Sequence, residues 1–249
     1  MAREEKLRSF SLTGLFLLSI LLSLALPAGT VTASNETTMG TITGTETWAG
    51  VHTLTGDVTI APGAKLIINP GATIEFPNGT HLDVRGSLCA GVSSCGASSN
   101  AGPAMRITLS WSEPANSSAI GECYGMSSGN QEIWIDDPSC SEGVLMRSSI
   151  DLSETGLRYV TFDSAWGIPQ YVSAVGEFRY GALVLDGASP TLTELSFNQI
   201  NTSSVLTTNL AQPTFNGGEF TVGVDASKSI VGAALQIYSS GSSVSPFTL

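Results

Sequence analysis

Charge is scarce in this chain. Charged residues make up 12% of its 249, with ten basic side chains against 21 acidic ones and only two histidines, His52 and His81. So thin a basic complement argues against nucleic acid or anionic lipid as a partner, because neither would meet a basic patch. Long apolar runs are missing after the first 33 residues, so no second membrane span is expected and the body reads as soluble. Cysteine is limited to Cys89, Cys95, Cys123 and Cys140, with no CxxC spacing and both histidines upstream, which argues against a zinc site. With Lys rare, Gly, Ser and Thr abundant and 42% of residues hydrophobic, the composition is that of an extracellular all-β protein rather than a disordered chain.

Residues 1–33 read as an export signal: basic Arg3, Lys6 and Arg8, an apolar run from Leu15 to Leu26, then Val31, Thr32 and Ala33 as a small-residue cleavage site. The alternative is an uncleaved N-terminal anchor, the one route by which the chain would touch a membrane. Removal of the leader leaves seven basic and 19 acidic residues, a net charge of −12. That balance favours cation binding or neutral glycans. Export and an even cysteine count together predict disulfides, and of the three pairings the sequence allows, neighbours close most easily: Cys89 with Cys95 and Cys123 with Cys140. Four N-x-S/T sequons, at Asn35, Asn78, Asn116 and Asn201, fit an exported chain.

What the chain does have is a count of eight. Residues 57–88 divide into DVTIAPGA, KLIINPGA, TIEFPNGT and HLDVRGSL, each opening on two apolar residues one position apart: Val58 and Ile60, Leu66 and Ile68, Ile74 and Phe76, Leu82 and Val84. That alternation is the period of a strand and not of a helix. Pro62-Gly63, Pro70-Gly71 and Asn78-Gly79 then supply type II bends, which suit corners better than hairpin tips. Three octets make a coil of about 24 residues, a length typical of repeat architectures. The fourth octet then stacks on the first, setting Val58 under Leu82 and Ile60 under Val84, with parallel pairing between coils.

A second echo lies near the end. Residues 181–200 and 232–249 share an apolar strand, a small polar bend and a Ser-Pro step, matching Leu183 to Leu235 and Pro190 to Pro246 at about two coil lengths. With Trp48, the octets and the Ser189, Pro190, Thr191, Leu192 segment read together, the chain resembles the right-handed parallel β-helix repeat proteins, the pectate-lyase-like superfamily, over residues 48–249. The resemblance implies an all-β, right-handed parallel β-helix, a β-solenoid. It implies no single activity, since such scaffolds host lyases, hydrolases, adhesins and inert stalks.

Around this core the sequence predicts a flexible lead-in over residues 34–47 and a disulfide-containing loop insertion over about 89–147, with one strand inside it from Met105 to Trp111 and a short strand-like piece from Glu132 to Ile135. Tyr159 and Phe162 are expected to pack in the coil. The stop at Ser245 to Leu249, in mid-segment, predicts a β-helix that continues in a longer protein or is covered by a partner.

Catalytic patterns are incomplete. Gly125 to Gly129 fits G-x-S-x-G, yet both histidines precede it, so the serine-hydrolase elbow lacks its base. Asp136 and Asp137 resemble the paired aspartates of polygalacturonase-like hydrolases, without the Gly-His-Gly and Arg-x-Lys that complete that pattern. A lyase would need calcium-holding acids and a base, and Arg147 is the only base nearby. What remains is an acidic turn, or a calcium site built from Glu132, Asp136, Asp137 and Glu142. Trp166 and Tyr171, flanking Gly167 and Pro169 in an expected loop, are candidate stacking platforms for sugar rings. The reading is a secreted or cell-surface β-helix with a structural or binding role toward a polysaccharide or cell-envelope component. Its rival is a polysaccharide-degrading lyase or hydrolase.

Overall fold

The computed structural model describes residues 36–112, 141–200, 202–222 and 233–238. Eight short strands come first: β1 (Gly40–Ile42), β2 (Thr45–Trp48), β3 (Val51–Thr53), β4 (Val58–Ile60), β5 (Lys65–Ile68), β6 (Thr73–Phe76), β7 (His81–Val84) and β8 (Ser87–Ala90). After them come β9 (Ile107–Trp111), β10 (Gly143–Arg147), β11 (Gly156–Arg158), β12 (Val160–Asp163), β13 (Ile168–Val172), β14 (Glu177–Asp186), β15 (Thr191–Ile200), β16 (Ser203–Thr208), β17 (Thr214–Val222) and β18 (Leu235–Ile237). Nearly all regular structure is thus strand.

The octets form β4 to β7 at the expected places, and their bends are the expected corners. Gly63 and Gly71 both sit at φ +79°, and Ala64 N–H and Ala72 N–H close onto the carbonyls of Ala61 and Asn69 at 2.9 and 3.2 Å. Positive φ at the third turn position is what a type II turn demands, and only Gly adopts it without strain. The stacking register also matches: Val58 pairs with Leu82 and Ile60 with Val84, in parallel.

Pairing is parallel throughout the described strands except between β13 and β14. One sheet runs β1-β4-β7-β10-β14-β16-β18. The other holds two rows, β2-β5-β8-β11 and β3-β6-β9-β12, that converge on β15, whose ten residues pair β11 at Thr191 to Thr193 and β12 at Ser196 to Asn198. Leu183 pairs with Val205 and Val205 with Leu235, so the two residues matched in the sequence lie in one column with a single rung between them.

Alternate side chains point into one core. Val58, Leu82, Val144, Leu183 and Val205 succeed one another down a buried column. Each such side chain contributes about 1.5–3 kcal/mol by leaving water. A second column is aromatic: Phe76, Trp111, Phe162, Phe197 and Phe220 stack near-parallel with ring centroids 4.4, 6.4, 4.8 and 5.3 Å apart. Tyr159, expected in the core, instead stands half-buried at a corner with φ +51°, between the guanidinium groups of Arg106 and Arg158.

Three expectations are corrected. Strands β1 and β2 occupy much of residues 34–47, where a lead-in was expected. The apolar signal is weak there because Glu46 takes the inward place above Leu66, satisfied by Thr37 N–H at 3.0 Å and Trp48 Nε1–H at 3.3 Å. His52 stacks on Trp48 at 4.3 Å and holds Glu36 at 2.7 Å, so polar groups close this end of the core. Within the 89–147 stretch expected as an insertion, β9 pairs β6 and β10 pairs β7, so residues 107–111 and 143–147 belong to the ladder. Finally, residues 168–172 are strand β13 and not loop.

Candidate functional site

β13 and β14 form an antiparallel hairpin on an otherwise parallel sheet. Opposed pairs are Pro169 with Tyr180 and Tyr171 with Phe178, and opposed strand residues share a face, so these four side chains line one side of the ribbon. Tyr171 is 52% exposed and meets the Phe178 ring edge-on at 5.4 Å. The turn closes through Val175 N–H and Gly176 N–H donating to Val172 O at 3.1 and 2.9 Å, with Gly176 at φ +71°. Sequence reasoning paired Tyr171 with Trp166. The ring that packs on it is Phe178, and the missed signal was alternation on both sides of a glycine turn, Pro-x-Tyr before and Phe-x-Tyr after.

Trp166 stands half-buried where the chain enters the hairpin. Its N–H donates to Glu142 Oε2 at 3.0 Å and its carbonyl accepts from Thr202 Oγ1 at 2.6 Å. Gly167 next to it forms a two-bond bridge with the Glu142 backbone, at φ +106°, where a Cβ would come within 2.2 Å of Thr202 Oγ1. This junction has no room for any other residue.

Glu142 is 1% exposed. Its Oε1 accepts from Gly79 N–H at 2.9 Å, so one carboxylate ties an octet corner to the hairpin entry. Burial pushes its carboxyl above the usual carboxylate range, against the opposing pull of the Gly79 and Trp166 N–H groups. The role the structure gives Glu142 is backbone acceptor. The other proposed calcium ligands, Glu132, Asp136 and Asp137, lie outside the described residues, as do Gly125 to Gly129. Among the described residues, no three His, Cys, Asp or Glu side chains gather as a metal site.

Arg147, the one base considered for a lyase, is committed elsewhere: its Nε lies 3.1 Å from Asp83 Oδ1 and its Nη1 3.4 Å from Asp186 Oδ2. Asp83 also holds Arg85 at 2.8 Å. These ion pairs bind successive rungs across the sheet's outer side. The Cys89–Cys95 disulfide is formed and packs with Ala97, Ile67 and Val92. Cys123 and Cys140, and the leader, lie outside the described residues. No helix among those residues is long and apolar enough to cross a membrane. Compared with family models, with curated proteins and with solved structures, the chain finds no match.

Proposed function

We propose that the chain is an exported, right-handed parallel β-helix of the pectate-lyase-like kind that binds a glycan or cell-envelope component and performs no chemistry on it. The parallel rows, with three strands to each early rung, support the β-helix. A disulfide joining Cys89 to Cys95 supports an oxidising compartment. The observation that carries the binding role is the Tyr171–Phe178 edge, an exposed ring packed on a half-buried one, on a hairpin held by a rigid ladder. Flat rings with adjacent polar groups are what a sugar's C–H face stacks upon.

The test is a glycan-binding titration of wild type and Tyr171→Ala, run beside an assay for reducing ends and unsaturated products. Loss of one stacking ring is expected to weaken binding several-fold, about 1 kcal/mol, with no product formed by either protein. Product that disappears in Asp136→Asn would overturn the binding role in favour of a degrading enzyme.

A further inference from the structure

The sequence contains two Asn-Gly steps, Asn78-Gly79 and Asn216-Gly217. At such a step a chain can modify itself, because the glycine nitrogen can attack the side-chain amide carbon of the asparagine and glycine has no side chain to obstruct the approach. The fold sets both steps in like conformations: both asparagines are exposed, and Gly79 and Gly217 both sit at φ +73°. The carboxylates beside them differ. At the corner between β6 and β7, Gly79 N–H donates to Glu142 Oε1 at 2.9 Å, and the buried Glu142 is held again by Trp166 N–H at 3.0 Å. In β17 the Glu194 carboxylate lies instead against the Gly217 α-carbon, where a Cβ would come within 2.5 Å of its Oε1. Gly79 is also half-buried, whereas Asn216, Gly217, Gly218 and Glu219 are exposed in succession, and Gly218 too has a positive φ, +134°.

We propose that Asn216 is a site of spontaneous deamidation and that Glu142 protects Asn78 from the same reaction. In the first step the glycine nitrogen bonds to the asparagine Cγ, the Cγ–Nδ2 bond breaks, and the nitrogen's proton departs with the amide group as ammonia, closing a succinimide. Solvent water then opens the ring at either carbonyl and leaves an aspartate or an isoaspartyl linkage. The nitrogen must give up its proton and turn toward Cγ. At Gly79 that proton is committed to a buried carboxyl oxygen, so the reaction has first to break the tie between the octet corner and the hairpin entry. The Glu194 carboxylate, placed at the α-carbon, gives Gly217 N–H no such hold. Conversion of Asn216 puts a new negative charge near Glu194 and, in the isoaspartyl form, an extra backbone atom into β17, which loosens β17 from β15. The same change at Asn78 would carry Gly79 N–H away from Glu142, so the protected step is the one on which the hairpin entry depends.

The test incubates the full chain at mildly alkaline pH and follows aspartate and isoaspartate at each step by peptide mapping and mass spectrometry. The protein comes from a host that adds no N-glycans, because Asn78 opens a sequon. In the folded protein Asn216 is expected to convert at least tenfold faster than Asn78, and in denaturant the two rates should come within threefold of each other. Glu142→Ala should raise the Asn78 rate at least fivefold and leave Asn216 unchanged, with Glu142→Gln, which keeps an acceptor oxygen, falling between it and wild type. Should both variants fail to fold, the comparison of folded with denatured wild type decides alone. Equal rates in folded wild type, or no conversion of Asn216, would overturn the proposal. So would an Asn216 excess that persists in denaturant, which places the cause in the flanking residues, or an Asn78 rate unmoved in a folded Glu142 variant.

Discussion

The octet strands and the later strands of the same sheet solve burial differently. In β4 the inward Val58 and Ile60 are buried and Thr59 between them is half-buried, the pattern of a sheet with one wet face. In β10 and β16 consecutive residues are buried on both sides. The cause is the hairpin: Ile168 packs on outward-facing Leu145, Val184 and Leu206 of three successive rungs, with Tyr238 beside them, forming a second apolar cluster outside the main core. A sheet reads as alternating only where one of its faces meets water.

The largest test of this comparison is on the shared core. Leu82→Ala in the octets and Leu183→Ala in the later rungs each remove a fully buried inward side chain, and each should cost about 2–5 kcal/mol of unfolding free energy. Denaturant melts that show one of the pair to be nearly neutral would break the equivalence of the two regions inside the core. Outside the core the regions should part. Leu206→Ala should again cost about 2–5 kcal/mol, whereas Thr59→Ala, outward in β4, should stay within about 0.5 kcal/mol. Equal small effects would mean that the hairpin does not cover the sheet.

Legibility followed the same division. The octets, their corners and the Val58 over Leu82 register could be read because the paired apolar residues kept to the same two positions in every octet. The Leu183 and Leu235 match survived for the same reason, at two rungs' distance. β10 was unreadable because Val144, Leu145 and Met146 are all apolar, which follows from the cover that Ile168 supplies from a distant part of the sequence. The first rung was lost because its inward Glu46 breaks the pattern, and polar capping cannot be told from a solvated loop by period alone. The hairpin's alternation was present in Pro169, Tyr171, Phe178 and Tyr180, but Gly167 and Pro169 weighed toward a loop.

A smaller effect is expected at the seam between the regions. Glu142 has its folded-state carboxyl raised by burial, so the native chain binds the proton more tightly than the unfolded one. Its contribution to stability is therefore greatest below the ordinary value of 4.5 and declines as pH rises through the raised value. Melting temperature measured from pH 4 to 8 should fall less steeply over this window in Glu142→Gln than in wild type. Parallel pH profiles would show that burial does not control this carboxyl.

The central claim is that one parallel ladder runs unbroken from the octets, past the insertion, into the later rungs. Cross-strand amide NOEs in isotopically labelled protein test it most directly. The account predicts parallel-type contacts joining Leu82 to Val144 and Val144 to Leu183, pairs separated by 62 and 39 residues in the chain. Antiparallel contacts at Val144, or none linking it to Leu82, would contradict it.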